Sequence, residues 1–485
     1  MSGWLTSFVL TIIGFNWMTY LFHEFANMPW PVAFVAMLAF AAIAHFYVPL
    51  IGALWFLGKK RFHWSDRHSL ILLVLLTCTI EYFYWTLFKW NFGYTWFAYH
   101  FPIYHLAEWI GFSGLSALTL AANGLFFLIW RDRTSLKGKI YLATTIGIFI
   151  ALNGLGLWVR SQLPAPDRLV RPLLVQANIG NLAKKAVELG HGFRDDVLQK
   201  YLALTKSGVE KARENLDSKA VSESASSRSQ RAVDFAMWPE TAFPASMGEN
   251  FRFRRHPQLL RQFQYDLQLP MVIGAYSRDP KNDLATNSLF SLNQDGEFEG
   301  PYYSKTILLM FGEYIPLESY YPKIRDWLPP TGHFSPGPGP NVLLKQGELK
   351  LGPQICYESL FANFSRKLAQ QGAQVIVNVT NDSWYGTWQE PYQHMYMTLA
   401  RAVEFRRPVL RVTNTGFSTV ALADGTILER SPLRQEWFGL YDVPYLENPP
   451  ETFYQKWFWL VPSVLIFLLL FFLFRGWREQ RSGIH

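Results

Sequence analysis

Three residues in this 485-residue sequence have the types and settings for acyl-transfer chemistry. They are Glu240 closing "FAMWPE", Lys305 after "PYYS" and Cys356 after "GPQI". Each follows a stretch that reads as a strand, and in layered α/β domains strand ends are where side chains leave the packed core and converge on a cleft. A thiol acts as a nucleophile in its thiolate form, so it needs a base to take its proton. A partly desolvated carboxylate at the end of an apolar strand is suited to that task near neutral pH. A lysine beside the thiol favours the thiolate and then holds the oxyanion of a tetrahedral intermediate. Such a set needs no cofactor and no metal, and no metal-ligand spacing, phosphate loop or dinucleotide fingerprint occurs in the chain. Taken singly, each residue also has an ordinary reading. Free cysteine packs as a small hydrophobe, glutamate after proline is often a turn residue, and a lone lysine is usually solvated surface. Sequence order alone does not bring the three together.

The elements around them alternate between strand and helix signals. "LLVQANI" (173–179), "DFAMWPE" (234–240), "PMVIGAYS" (270–277), "KLGPQICYE" and "AQVIVNVTND" (373–382) read as strands. Residues 192–217, 359–371 and "PYQHMYMTLARAVEFRR" read as helices, and the serine-rich 218–231 as a solvated loop. Asp295-Gly296 and Asp424-Gly425 each mark a hairpin turn. The mixture predicts an α/β layered domain with antiparallel elements, bounded at 173–450.

This domain is flanked by apolar runs at 4–22, 30–57, 69–88, 109–130, 140–159 and 457–474, with Glu81 the only formal charge inside them. Each is about 18 residues or more, enough to cross a hydrocarbon core. A polytopic α-helical membrane domain is therefore expected at 1–159, with about five transmembrane helices. A proline-containing linker follows at 160–172, and a sixth helix with its tail at 451–485. The first run reads as a retained span, because "MSGW" lacks a basic leader and no cleavage pattern follows.

Lysine and arginine collect after the second run ("GKKRFHWSDRH"), after the fourth ("RDRTSLKGK") and in the tail. "HEFANMP" has none, and 89–108 has only Lys89. By the positive-inside rule both termini face the cytoplasm and 160–456 lies outside. Cytoplasmic loops then account for most of the net charge of +8, which leaves no argument for nucleic-acid binding. The two cysteines, Cys78 in the third run and Cys356 in the external domain, are not placed to pair. Glu81 reads as reaching the outer interface, and His45 as a packed, hydrogen-bonded histidine.

"WPE" (238–240), Lys305, "FGEYIPLE" (311–318), "ICYE" (355–358) and "NDSWYG" (381–386) resemble the nitrilase superfamily and, within it, the apolipoprotein N-acyltransferase family. "NWMTY" (16–20), "VQANI" (175–179), "PYQH" (391–394) and "RAVEFRRPVLRVTNTG" (401–416) extend the likeness over most of the chain, in the right order. The resemblance implies a nitrilase-like αββα sandwich and a Glu240–Lys305–Cys356 triad. It also implies supporting roles for Glu313, Tyr357 and Glu358. There are two departures: six runs where the family has eight spans, and "GNLAKKAVELG" where the family continues with proline and tryptophan.

The function implied is ping-pong transfer of an acyl chain from a membrane phospholipid to the N-terminal α-amine of a diacylglyceryl-cysteine apolipoprotein. The setting is a bacterial inner membrane, with catalysis on the periplasmic side. Trp384 and Trp388, in a glycine-containing loop, suit a lipid interface, where tryptophan is favoured. A membrane-tethered amidase or hydrolase using the same triad with water is the nearest alternative. A transporter or non-catalytic membrane scaffold is the other.

Overall fold

Apolar helices dominate one part of the chain and buried strands the other, and the two patterns form separate units. The computed structural model describes residues 2–180, 193–222, 231–248, 253–327 and 332–481. One unit comprises the chain up to His23, Asn27–Pro164 and the chain from Thr452; the other comprises Glu24–Ala26 and Ala165–Glu451. The departure at "GNLAKKAVELG" beyond Gly180 and residues 223–230 of the serine-rich stretch lie outside the described residues, while 218–222, expected as loop, continue the preceding helix to Ser222.

In the helical unit, four helices among the described residues are long and apolar enough to cross a membrane: Trp30–Phe62, Pro102–Arg131, Leu136–Ser161 and Leu460–Arg481. Ser2–Phe15 and Met18–Glu24, bent by 60° at their junction, make a fifth if they form one span. The remaining run of the six is helical as well. The run at 69–88 becomes an 18-residue helix, Asp66–Phe83, with Asp66 and Arg67 at one end and Glu81 near the other. Apolar side chains such as Phe34, Phe126, Ile150 and Phe467 point outward, as lipid-facing helices require. Glu81 Oε2 accepts a 2.9 Å hydrogen bond from Ser116 Oγ within the unit. His45 is packed as expected, with Nδ1 2.7 Å from Thr11 Oγ1 and its ring against Phe15.

Among the described residues, the second unit holds thirteen strands. The first six are β1 (Arg168–Val170), β2 (Pro172–Gln176), β3 (Phe235–Trp238), β4 (Met271–Arg278), β5 (Ala285–Leu292) and β6 (Tyr303–Ser304). Then come β7 (Leu344–Gln346), β8 (Leu349–Ile355), β9 (Val375–Thr380), β10 (Val409–Thr413), β11 (Thr419–Ala421), β12 (Trp437–Leu440) and β13 (Val443–Tyr445). A six-stranded sheet runs β12-β2-β3-β4-β5-β6 and a five-stranded one β11-β10-β9-β8-β7, while β1 pairs with β13. The centres, β2-β3-β4 and β8-β9-β10, are parallel, and the edges antiparallel.

Parallel strands covered on both faces read as continuous apolar runs rather than alternating ones, because neither face meets water. Every residue of β2, β3 and β9 is accordingly buried. The sheets pack on each other, β2 and β3 against β10 and β5 against β7 and β8, with helices outside. Arg194–Ser222 covers β2 and β12, and Ala362–Gln370 covers β8. This is the nitrilase-like αββα sandwich.

The Asp295-Gly296 turn closes the β5–β6 hairpin as expected, with Ser288 opposite Ser304. The second turn differs. β10 and β11 are joined through 414–418, and Asp424-Gly425 turns a shorter return in which Ile427 bridges Ala421. The dipeptide correctly marks a turn, but sequence alone does not say which two segments it joins.

Candidate active site

The carboxyl ends of the parallel strands form the site. β3 runs into Pro239-Glu240, β8 into Cys356 and β9 into Asn381-Asp382. At each end the chain leaves the sheet through a left-handed residue that is not glycine: Thr241 (φ 49°), Cys356 (φ 52°) and Asp382 (φ 53°). Each such residue costs about 1–2 kcal/mol, and strain of this kind persists only where surrounding contacts over-determine it. On the β3 side, the backbone of β4 crosses the Glu240 turn so closely that a Cβ on Gly274 would lie 2.3 Å from the Pro239 oxygen. Only glycine permits that approach. Asn381 N donates to Glu240 Oε2 (3.1 Å), which ties the two sheets together at the site.

The structure brings Glu240, Lys305 and Cys356 together. Glu240 Oε1 accepts from Asn287 Nδ2 at 2.7 Å and from Lys305 Nζ at 3.3 Å. Lys305 Nζ is closer still to Glu313 Oε1, at 2.8 Å, and Glu313 Oε2 accepts from Leu309 N. The ammonium therefore bridges two carboxylates while only 2% exposed. Burial works against its charge, but Glu240 and Glu313, followed by Cys356, outweigh that and hold it well above the usual lysine range. An ammonium has three donors, so two hydrogen bonds to carboxylates leave one N–H for a further oxygen.

Burial, reinforced by the Glu240 charge, pushes the Cys356 thiol well up, against the opposing pull of Lys305. The thiol thus rests protonated at neutral pH. It is not a preformed thiolate, and a neighbouring base has to take its proton at the moment of attack. Glu240, fixed by three donors, is the carboxylate whose charge acts most strongly on the thiol.

Of the supporting residues, Glu358 has the most defined setting. Its Oε1 accepts from Tyr303 Oη (2.6 Å), Thr306 N (2.6 Å) and Ile307 N (3.1 Å), and its Oε2 from Ile355 N (2.8 Å). It clamps the segment carrying Lys305 to the end of the strand carrying Cys356. Burial raises it to about 7 against these four donors. Glu358→Gln must turn an NH2 group toward one of those donor sets. We expect about 1–3 kcal/mol of stability to be lost, as a lowered Tm of the detergent-solubilised protein, together with loss of activity.

Tyr357 is buried, edge-on to Phe361 with ring centroids 5.0 Å apart. Trp388 is 68% exposed, as are large parts of Leu317 and Tyr320. Trp384, by contrast, is half-buried.

Sequence reasoning passed over a second polar cluster. Oxygens of Asp382 and Glu390 and a ring nitrogen of His394 lie within 4.8 Å of one another, close enough to hold a cation. The cluster already carries its own positive charge. Arg411 Nη2 is 2.6 Å from Asp382 Oδ2, and His394 Nδ1 is 3.0 Å from Asp382 Oδ1 and 3.5 Å from Glu390 Oε1. Burial favours a neutral Asp382, but Arg411 and His394 hold it at about 2. Burial and Arg411 oppose the charge on His394, yet Asp382 and Glu390 keep it up at about 9. A divalent ion would have to displace the histidine proton beside a fixed guanidinium, so the donor set fits an internal ion network better than a metal centre. Arg411 inside "PVLRVT" was the available signal, since an arginine in a buried strand requires partners.

Comparison with known proteins adds an independent line. The carbon-nitrogen hydrolase family pattern matches residues 195–443, and the pattern of the apolipoprotein N-acyltransferase N-terminal domain matches 1–125. An apolipoprotein N-acyltransferase from Bdellovibrio bacteriovorus is 40% identical over 465 residues, covering 94% of this chain and 82% of that one. Another from Allorhizobium ampelinum is 31% identical over 466 residues, covering 93% and 80%. A solved amidase from Nesterenkonia sp. is 18% identical with a TM-score of 0.36, over 58% of this chain and 92% of that one, a likeness too low to bear on function. With both family patterns present in order and a 40% identical relative matched over 94% of this chain and 82% of its own, the chain belongs to the apolipoprotein N-acyltransferase family.

Proposed function

We propose that this enzyme transfers an acyl chain from a membrane phospholipid to the α-amine of a diacylglyceryl-cysteine apolipoprotein, through a thioester on Cys356. The observation that carries the reading is the buried Lys305 ammonium bridging Glu240 and Glu313 at the strand ends that also carry Cys356. Family membership supports lipoprotein N-acylation as the overall activity.

Glu240 takes the thiol proton as sulfur attacks the donor ester carbonyl. The oxyanion is held by the remaining Lys305 N–H and a backbone N–H. Collapse expels the lysophospholipid alkoxide, which leaves with the proton from Glu240, and the thioester remains. The acceptor amine then attacks, Glu240 takes its proton, and collapse to the amide returns that proton to the departing thiolate. Glu313 holds Lys305 throughout, and Glu358 keeps the Lys305 and Cys356 segments in register. The exposed Trp388, Leu317 and Tyr320 suit contact with a bilayer surface. The alternation of basic connections supports placing this unit on the periplasmic side of the inner membrane.

Incubation of the detergent-solubilised protein with phospholipid alone is expected to add the mass of one acyl chain, removable by hydroxylamine. A synthetic diacylated lipopeptide with a free amine should discharge it as an N-acylated product. Release of free fatty acid alone, with no acylated amine, would replace this reading with that of a hydrolase.

A further inference from the structure

The left-handed turn at Cys356 has to be held by something, and the holding contacts fall on one atom. The Cys356 carbonyl oxygen accepts from Ser359 Oγ at 3.0 Å, from Asn378 Nδ2 at 3.2 Å and from His394 Nε2 at 3.4 Å. These donors come from the turn after β8, from β9 and from the helix Glu390–Leu399. Traced back through one or two further hydrogen bonds, all three lead to Arg411, in the middle of β10.

Arg411 Nη1 donates to Asn378 Oδ1 (2.7 Å) and to Thr398 Oγ1 (3.3 Å), and Nη2 donates to Asp382 Oδ2 (2.6 Å). Thr398 Oγ1 is 2.7 Å from Ser359 Oγ, and Asp382 Oδ1 is 3.0 Å from His394 Nδ1. Along two arms the protons run outward. Arg411 can only donate, so Asn378 Oδ1 accepts and its Nδ2 is left to donate to the carbonyl. Thr398 accepts from Arg411 and donates to Ser359, which donates to the carbonyl. In the third arm Asp382 accepts from both Arg411 and His394, and the other ring nitrogen of His394 faces the carbonyl. Arg411, Asn378, Thr398 and Ser359 are 0% exposed, so water does not compete for these bonds. The room is also tight: a Cβ on Gly416 would lie 2.3 Å from Asp382 Oδ2.

We propose that Arg411 is a positioning residue for the nucleophile, setting the Cys356 carbonyl through Asn378, Thr398–Ser359 and Asp382–His394. A trans peptide carries its N–H opposite its C=O, so fixing this carbonyl also fixes the direction of the Tyr357 N–H, the backbone donor next to the thiol. Lysine cannot replace this arginine, because a point charge does not present a planar fork to three acceptors. The role rests on the acyl-transfer reading of the site, and it predicts a geometric defect in the reaction rather than a defect in lipid binding.

The test uses full-length protein in detergent and four variants: Arg411→Lys, Ser359→Ala, His394→Ala and His394→Gln. Three readouts are compared: kcat and KM for phospholipid with the diacylated lipopeptide, the rate of iodoacetamide alkylation at Cys356 by peptide mass spectrometry, and Tm. A displacement of the thiol by a fraction of an ångström to an ångström should lower kcat by about ten- to a hundredfold, with KM within about twofold by the same argument. Alkylation at pH 7 should slow in parallel. His394→Gln, whose amide can still donate to the carbonyl, should recover most of what His394→Ala loses.

If Arg411→Lys does not fold, Ser359→Ala and the His394 pair decide alone. The proposal is overturned if these variants alkylate and turn over like wild type. It is equally overturned if glutamine rescues nothing, or if activity tracks only the folded fraction. Absence of acyl transfer in the wild type, with alkylation still slowed in the variants, would instead overturn the reaction and keep the positioning role.

Discussion

Cys356→Ser should abolish acyl transfer while leaving the fold nearly intact. Serine fits the space, and its hydroxyl meets the same base and the same ammonium. It is nevertheless a far weaker acid than the thiol, and Cys356 is already held in its neutral form by burial and by Glu240. Any ester that forms would also be less reactive toward an amine than a thioester. We expect transfer to fall on the order of ten-thousandfold or more, the scale seen when a nucleophile is removed from a coupled catalytic set. Tm should move by only a few degrees. The measurement is transfer of a radiolabelled phospholipid acyl chain to the lipopeptide, with Cys356→Ala in parallel. Retention of more than a few per cent of wild-type activity in the alanine variant would remove Cys356 from the chemistry and bring the non-catalytic scaffold forward.

The parts of the site visible in sequence are those marked along one strand at a time. Glu240, Lys305 and Cys356 each end a stretch with strand character, and a polar residue at such a boundary is legible without knowing any neighbour. Glu313 and Glu358 stood out only through resemblance, because "FGEYIP" and "CYE" give no local reason for a buried carboxylate. What the sequence hid depends on register between strands. Asn287 sits in "ATNSLFSL", where it looks like the polar side of an ordinary strand. It reaches Glu240 because β4 and β5 pair antiparallel with Tyr276 opposite Asn287. Arg411 pairs with Asp382 across 29 residues only because β9 and β10 lie parallel with Arg411 beside Asn378.

The membrane half shows the opposite limit. Composition located every apolar run but not the bounds of its helix: the run at 69–88 gives Asp66–Phe83, which begins earlier and takes in Asp66 and Arg67. Where a helix starts is set by capping and packing, and an apolar stretch does not record it.

Lys305→Met should be the most damaging single change to both stability and activity, and the two losses are separable. In the wild type one ammonium serves Glu240 at 3.3 Å and Glu313 at 2.8 Å, with little water nearby. Methionine fills much of the same volume but leaves two carboxylates facing each other without a counter-charge. Breaking a buried ion pair from one side costs about 3–5 kcal/mol, so a large fall in Tm is expected.

The pH dependence carries a sign. In the wild type, Lys305 is held above its unfolded value, so its contribution is full below that value and is lost only as pH rises through the folded one. The deficit in Lys305→Met should therefore be present in full at pH 7 and shrink only as pH rises above the ordinary lysine range of about 10.4.

Adding Glu313→Gln removes one of the two negative charges. The double variant should regain much of the lost Tm at pH 7 while transfer stays below detection, since no ammonium remains for the oxyanion. A Lys305→Met protein as stable as wild type at pH 7 would mean the carboxylates do not depend on Lys305. Restored activity in the double variant would mean the ammonium is structural, and the oxyanion would then have to be held by backbone donors alone.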